Sequence, residues 1–197
     1  MSFTTGTQTE ALSVNPAVGS AYASSTSVTV VSTAASAGFL PANFFLPSFG
    51  IAKGLLVKAF GVLGTTGTPN LTMGVVANSV QGSAPANLTA GTSGVLATTG
   101  TLAQGSGVTN VPWDLEVLLS CGTVGSSGSI LAMGMFRVYN TATTINVARC
   151  SSSTANPNTG ATLSTQSAWY IELAALWGTN SASNTLTLYG YTVLGLN

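Results

Sequence analysis

The stretch from Val111 to Tyr139 constrains the fold more than any other part of this chain. A strand-like run, Val-Pro-Trp-Asp-Leu-Glu-Val-Leu-Leu-Ser-Cys, leads into a Gly/Ser turn over 122–129, and a second strand-like run ends in Met-Phe-Arg-Val-Tyr. β-prone runs on either side of a turn cluster predict a long antiparallel hairpin. The hairpin also carries three of the chain's eight charged side chains, Asp114, Glu116 and Arg137. It is therefore the first place to look for chemistry.

The remainder reads in the same period. Tyr22–Val31 alternates, with Val28 and Val30 on one face, as a first strand. Phe39–Leu46, flanked by Pro41 and Pro47, is a short edge strand or a loop plugging the barrel. Lys53–Leu63 is a strand with Leu55, Val57 and Ala59 pointing one way and Leu56, Lys58, Phe60 and Val62 the other. A turn over 64–69 returns it as Asn70–Ala77, a second hairpin. Residues 78–94 form a Gly/Ser/Asn/Pro-rich loop, Val95–Leu102 a strand, and 104–110 a Gly-rich connection. Residues 140–148 read as a short strand and 149–160 as a loop. Ser167–Trp177 and Asn184–Leu196, around a turn at 178–183, make a last hairpin. That hairpin echoes the first, with Ile171-Glu172-Leu173 following Leu115-Glu116-Val117 at a spacing of 56 residues. The echo fits equivalent hairpins in two sheets, or merely a shared turn solution.

No segment offers a capped apolar stripe of helical period. The expected fold is all-β, an antiparallel β-sandwich of about eight strands. Strand number and long hairpins point to the jelly-roll type, with an immunoglobulin-like sandwich as the alternative. Residues 1–20 lack sustained periodicity and read as an extended N-terminal arm ahead of a single domain spanning 21–197.

Composition narrows the function classes. At 197 residues the chain builds one well-buried core. Charged residues are 4 % against roughly 25 % in ordinary soluble domains, while hydrophobic residues reach 45 %, so the chain folds rather than staying disordered. A surface so poor in charge has little repulsion to keep copies apart, and suits a protein held against itself or a larger partner. Zero net charge without a Lys/Arg cluster argues against a nucleic-acid partner and against docking on anionic membranes. The N-terminus shows no export signal, and Pro41, Pro47, Lys53 and Lys58 interrupt the most apolar stretch, 39–64, so no membrane helix is expected. Cys121 and Cys150 read as reduced, packed thiols; a disulfide would need close Cα atoms.

Catalytic constellations fare poorly. Asp114 and Glu116, two apart on a strand, share a face, and Glu172 approaches them if the two hairpins pack together. Carboxylates ~5–9.5 Å apart are the equipment of a glycoside hydrolase. Against that stands their use as solvated strand residues, or as partners of Arg137 or Lys58 across the sheet. With no histidine there is no Ser-His-Asp or Cys-His set and no zinc site. No catalytic, metal or cofactor-binding residue is assigned. The aromatic residues Trp113, Trp169, Tyr170, Trp177, Tyr189 and Tyr191 make either a sugar platform or, more commonly, core and subunit packing. Trp169, Trp177, Tyr189 and Tyr191 are the expected interface residues, the two tyrosines on one face.

Three segments carry a family resemblance: Gly61-Val-Leu-Gly-Thr-Thr-Gly-Thr-Pro-Asn-Leu-Thr, Gly107-Val-Thr-Asn-Val-Pro-Trp-Asp-Leu-Glu, and Trp177-Gly-Thr-Asn-Ser-Ala-Ser-Asn-Thr. Over roughly residues 38–197 the chain resembles the jelly-roll head decoration, or cement, proteins of tailed bacteriophages, and Pro-Trp-x-Leu-Glu is its sharpest element. The resemblance implies a non-enzymatic virion structural protein, assembled in the host cytoplasm and seated on the outer surface of the phage head. It would be a homotrimer stabilising contacts between major capsid subunits. The arm, through Phe3, Thr4, Thr5 and Gln8, is the expected capsid contact. Related jelly rolls serve as head fibres or receptor-binding tips, so the alternative is a carbohydrate- or receptor-binding module of a fibre or spike.

Overall fold

The computed structural model describes residues 10–15, 22–23, 25–32, 38–45, 54–140, 144–153, 156 and 159–196. Among them there is no helix. Fourteen strands form one antiparallel sheet: β1 (Glu10–Asn15), β2 (Tyr22–Ala23), β3 (Thr29–Val30), β4 (Gly38–Leu40), β5 (Gly54–Gly64), β6 (Asn70–Asn78), β7 (Val95–Thr98), β8 (Leu102–Ala103), β9 (Val111–Thr123), β10 (Gly128–Tyr139), β11 (Ile145–Ser151), β12 (Ala161–Leu163), β13 (Trp169–Trp177) and β14 (Thr185–Leu196). The path runs β1-β14-β5-β9-β10-β11-β7-β6-β13-β3, with β2, β4, β8 and β12 attached beside it.

The expected β9–β10 hairpin is present, in register from Ser129 opposite Thr123 to Val138 opposite Trp113. The other two expected hairpins are not hairpins. β5 pairs with β14 and β9, whereas β6 pairs with β13, β7 and β8. Likewise β13 and β14 lie on opposite arms of the path. Both connections cross the molecule instead of closing a ladder, and they run side by side. Asn184 Oδ1 accepts from the Thr66 amide, the Gly178 amide donates to Asn70 O, and the Thr65 amide donates to Val108 O. These bonds tie the two connections together, and β5 takes β14 and β6 takes β13 as partners far away in sequence.

Eight strands, β5, β6, β7, β9, β10, β11, β13 and β14, pair in a nested order: first with last (β5–β14), second with seventh (β6–β13), third with sixth (β7–β11) and fourth with fifth (β9–β10). Laid flat, the interval from β14 to β13 would be about 34 Å at a strand spacing of ~4.8 Å. The chain from Trp177 to Thr185 reaches only about 27 Å. The sheet therefore has to curl until its two arms meet. Across the closure Tyr191 Oη on β14 donates to Ile171 O on β13 at 2.9 Å.

The curl encloses one main core. Leu55, Val57, Val117, Leu119, Ile130, Phe136 and Val193 of one arm pack with Leu71, Val75, Leu173 and Trp177 of the other. A smaller cluster of Leu88, Val76, Val95 and Ala174 seals the loop 79–94 against the far side of β6 and β13.

Local differences have local causes. The strand expected over 22–31 is reduced to β2 and β3, because Tyr22 Oη donates to Ser25 O and Ser27 O, and Ser25 Oγ bonds Ser27; such local bonds draw the backbone out of the ladder. The strand expected over 95–102 breaks between β7 and β8, where Thr99 Oγ1 accepts from the Met73 amide and Gly100 takes a φ of 64°. At the other end β11 runs on to Ser151, three residues into the expected loop. Of the expected arm, Glu10–Asn15 is β1, paired with β14 at the edge of the sheet.

Candidate functional site

The outward face of β5, β9, β10 and β11 is the most chemically distinctive surface among the described residues. Period two sends Leu55, Val57, Leu115, Val117 and Phe136 inward, and their alternates out. The register aligns those alternates in rows across the strands. One row is Leu194–Leu56–Leu118–Met133, the next Thr192–Lys58–Glu116–Met135–Arg149, and the third Phe60–Asp114–Arg137–Val147. Phe60, Leu118, Met133, Met135, Ile145 and Val147 are all exposed, Met133 by 71 %. Beside the first row a groove of about 450 Å³ runs between Leu118, Leu131, Met133 and Arg149.

All the charges on this face except Arg149 are paired within the chain. Lys58 Nζ lies 2.9 Å from Glu116 Oε2. Arg137 Nε donates to Asp114 Oδ1 at 2.8 Å, and Tyr139 Oη donates to Asp114 Oδ2 at 2.6 Å. The hydrogen bond to Asp114 holds the Tyr139 phenol above its ordinary range and, with Asp114's charge, does the same for the Arg137 guanidinium. Both carboxylates thus serve as cross-strand partners of Arg137 and Lys58, the architectural use weighed from the sequence. Arg149 is exposed and has no ion-pair partner among the described residues.

Glu172 does not join them. It is fully buried on β13, accepting from Asn78 Nδ2 at 2.7 Å and from the Gly82 amide at 2.9 Å. It anchors the loop that follows β6. Among the described residues no group of three or more Cys, Asp or Glu side chains is placed to hold a metal ion.

Comparison with protein-family models, with curated proteins and with solved structures finds no match.

The aromatic residues expected at an interface divide. Trp177 and Tyr191 are in the core, so their side chains are not available to a partner. Trp169 is half-buried, its Nε1 donating to Ser164 O at 2.7 Å, and Tyr189 is 39 % exposed. Tyr189 and Tyr191 were expected on one face. A register shift between Leu188 and Gly190 separates them, since an extra residue in one strand reverses the alternation beyond it. Trp113 is also a core residue, its ring 5.8 Å from that of Phe136. Phe3, Thr4, Thr5 and Gln8 lie outside the described residues. Cys121 and Cys150 are both free thiols.

Sequence reasoning passed over Leu118, Met133, Met135 and Val147. The signal was present in the alternation of the 111–139 hairpin, which puts Leu118 on the same side as Asp114 and Glu116. What it lacked was any indication that these side chains stay exposed among the described residues.

Proposed function

We propose that this chain is a non-enzymatic structural protein of a phage virion, a capsid decoration or cement protein acting as a homotrimer against major capsid subunits. One observation carries the reading: the face of β5, β9, β10 and β11 exposes contiguous apolar side chains and ties up nearly all its charge in internal pairs. Such a surface is costly for a freely diffusing monomer and favourable when buried against protein. The commitment of Asp114, Glu116 and Glu172 to structural partners supports the non-enzymatic part.

The jelly-roll type belongs to the same proposal. Its support is the nested pairing of the eight framework strands, which is that of one long antiparallel ribbon folded back on itself. Cut between β10 and β11, the path gives two four-strand layers, β14-β5-β9-β10 and β11-β7-β6-β13.

A second reading, a saccharide- or receptor-binding module of a fibre or spike, draws on one feature. Phe39, half exposed, packs against Tyr170 with ring centroids 5.5 Å apart, an aromatic pair open to solvent. A glycan array discriminates, because the cement reading expects no saccharide bound.

The test of the leading reading is copy number in purified particles together with a deletion. Residues 1–9 are the ones to remove, since a longer cut would also strip β1 from β14. The expected result is a copy number comparable with that of the major capsid subunit, a trimeric mass in solution, and loss of capsid binding by the shortened, still trimeric protein. A handful of copies per particle overturns the cement role, and undiminished capsid occupancy overturns the role of the arm.

A further inference from the structure

We infer that the outward face of β9, β10 and β11 is a self-recognition surface, on which a second copy of this chain stacks about a twofold axis lying along β10. The register carries the argument. Met135 on β10 is directly opposite Glu116 on β9 and directly opposite Arg149 on β11. An acid and a base thus stand one strand to either side of β10, each about 4.8 Å from it. A twofold axis along β10 turns β9 of one copy over β11 of the other. It brings Glu116 over the second copy's Arg149, brings Arg149 over the second copy's Glu116, and sets Met135 against Met135. Isologous contacts need this kind of self-complementarity, and Arg149 is the charge this face leaves without an ion-pair partner among the described residues.

The apolar groups follow the same symmetry. Met133 meets Met133 beside the groove of about 450 Å³ lined by Leu118 and Leu131, and an unbranched thioether fills such irregular space well. Asp114 and Arg137 enter the contact already paired with each other, so burying them leaves no bare charge. Stacked sheets of aligned strands with interdigitating side chains ~10 Å apart are a standard packing mode. The inference uses the face that carries the cement reading but does not need that reading: a second copy on this face leaves any threefold or capsid contact to other surfaces.

Sedimentation equilibrium on the full chain tests it through a charge swap. The unmodified protein is expected to show a reversible doubling of mass with concentration, from monomer to dimer or from trimer to hexamer. Arg149→Glu and Glu116→Arg each set like charges face to face twice per interface, and each should raise the dissociation constant for doubling about tenfold or more. The combined Lys58→Glu/Glu116→Arg/Arg149→Glu protein, which also reverses the ion pair between positions 58 and 116, restores the pairing in reversed sense and should return most of the affinity. Met133→Glu should weaken doubling without rescue by either charge change. Circular dichroism confirms that each variant is folded, and Arg149→Gln supplies a milder variant of the same contact. A protein that never doubles, or doubling indifferent to Arg149→Glu and Met133→Glu, overturns the inference. Single variants that weaken doubling while the swap fails to restore it also overturn it, and show the face meeting a different surface.

Discussion

Glu172 shows how one side chain fixes a long loop. It is wholly buried, and its two oxygens take the Asn78 amide and the Gly82 backbone N–H at the start of the 79–94 excursion. Removing the acceptor leaves the half-buried Asn78 side chain and the Gly82 N–H without their buried partner and empties the space the carboxylate filled, which costs more than one bond is worth. Glu172→Ala is expected to destabilise the protein by about 3 kcal/mol in chemical denaturation, and Glu172→Gln by less, because its carbonyl oxygen keeps one of the two bonds. Hydrogen exchange at the Gly82 amide should quicken in both. Unchanged exchange there would mean that Leu88, packed on Val76, Val95 and Ala174, holds the loop by itself.

Among the strands, close approach is decided at glycines as much as at side chains. Gly61 lies between Leu188 of β14 and Trp113 of β9, and a Cβ there would run into the Thr187 carbonyl. Backbone cannot yield as a flexible side chain does, so Gly61→Ala is expected to cost about 1–3 kcal/mol. A thermal melt indistinguishable from the parent would show that β5 and β14 can separate at that point without loss. Opposite the bulge on β14, the Phe60 ring covers Gly190, which has no side chain to meet it. This bulge is what turns Tyr189 outward and Tyr191 inward.

Two groups in the core of the molecule resist ionisation. Burial pushes the Cys150 thiol up to about 12 from an ordinary 9.0, and burial, with the nearby Glu172 charge, raises the Tyr191 phenol well above 10.0. In both, folding favours the protonated form. Their contribution to stability is complete below pH 9, the unfolded thiol value, and is lost as pH climbs toward the folded values. The melting temperature should therefore fall steeply between about pH 9 and pH 12, and Cys150→Ala should flatten part of that fall. A disulfide-exchange reagent at pH 8 should leave Cys150 unmodified until the protein is unfolded. Rapid labelling of Cys150 in the native protein would contradict its placement in the core.

What the sequence determined by itself is everything that period and turn chemistry encode. The alternation in 53–63 and 111–139 specified β5, β9 and β10, put Leu55, Val57 and Ala59 on one face, and put Asp114 and Glu116 together on another. Histidine's absence had argued against catalytic triads, and Asp114 and Glu116 were left as solvated strand residues or as partners of Arg137 or Lys58; the structure decides for the pairs. Partner choice was decided only by the tertiary structure. The turns at 64–69 and 178–183 look like hairpin turns, yet they carry the chain across the molecule, because Thr65, Thr66 and Asn184 bond to distant loops and β5 and β6, like β13 and β14, do not pair with each other. A strand's sequence states which face is apolar but not which strand lies beside it. For the same reason it could not show that Met133, Met135 and Leu118 face outward and stay exposed among the described residues, or that one extra residue before Gly190 would part Tyr189 from Tyr191.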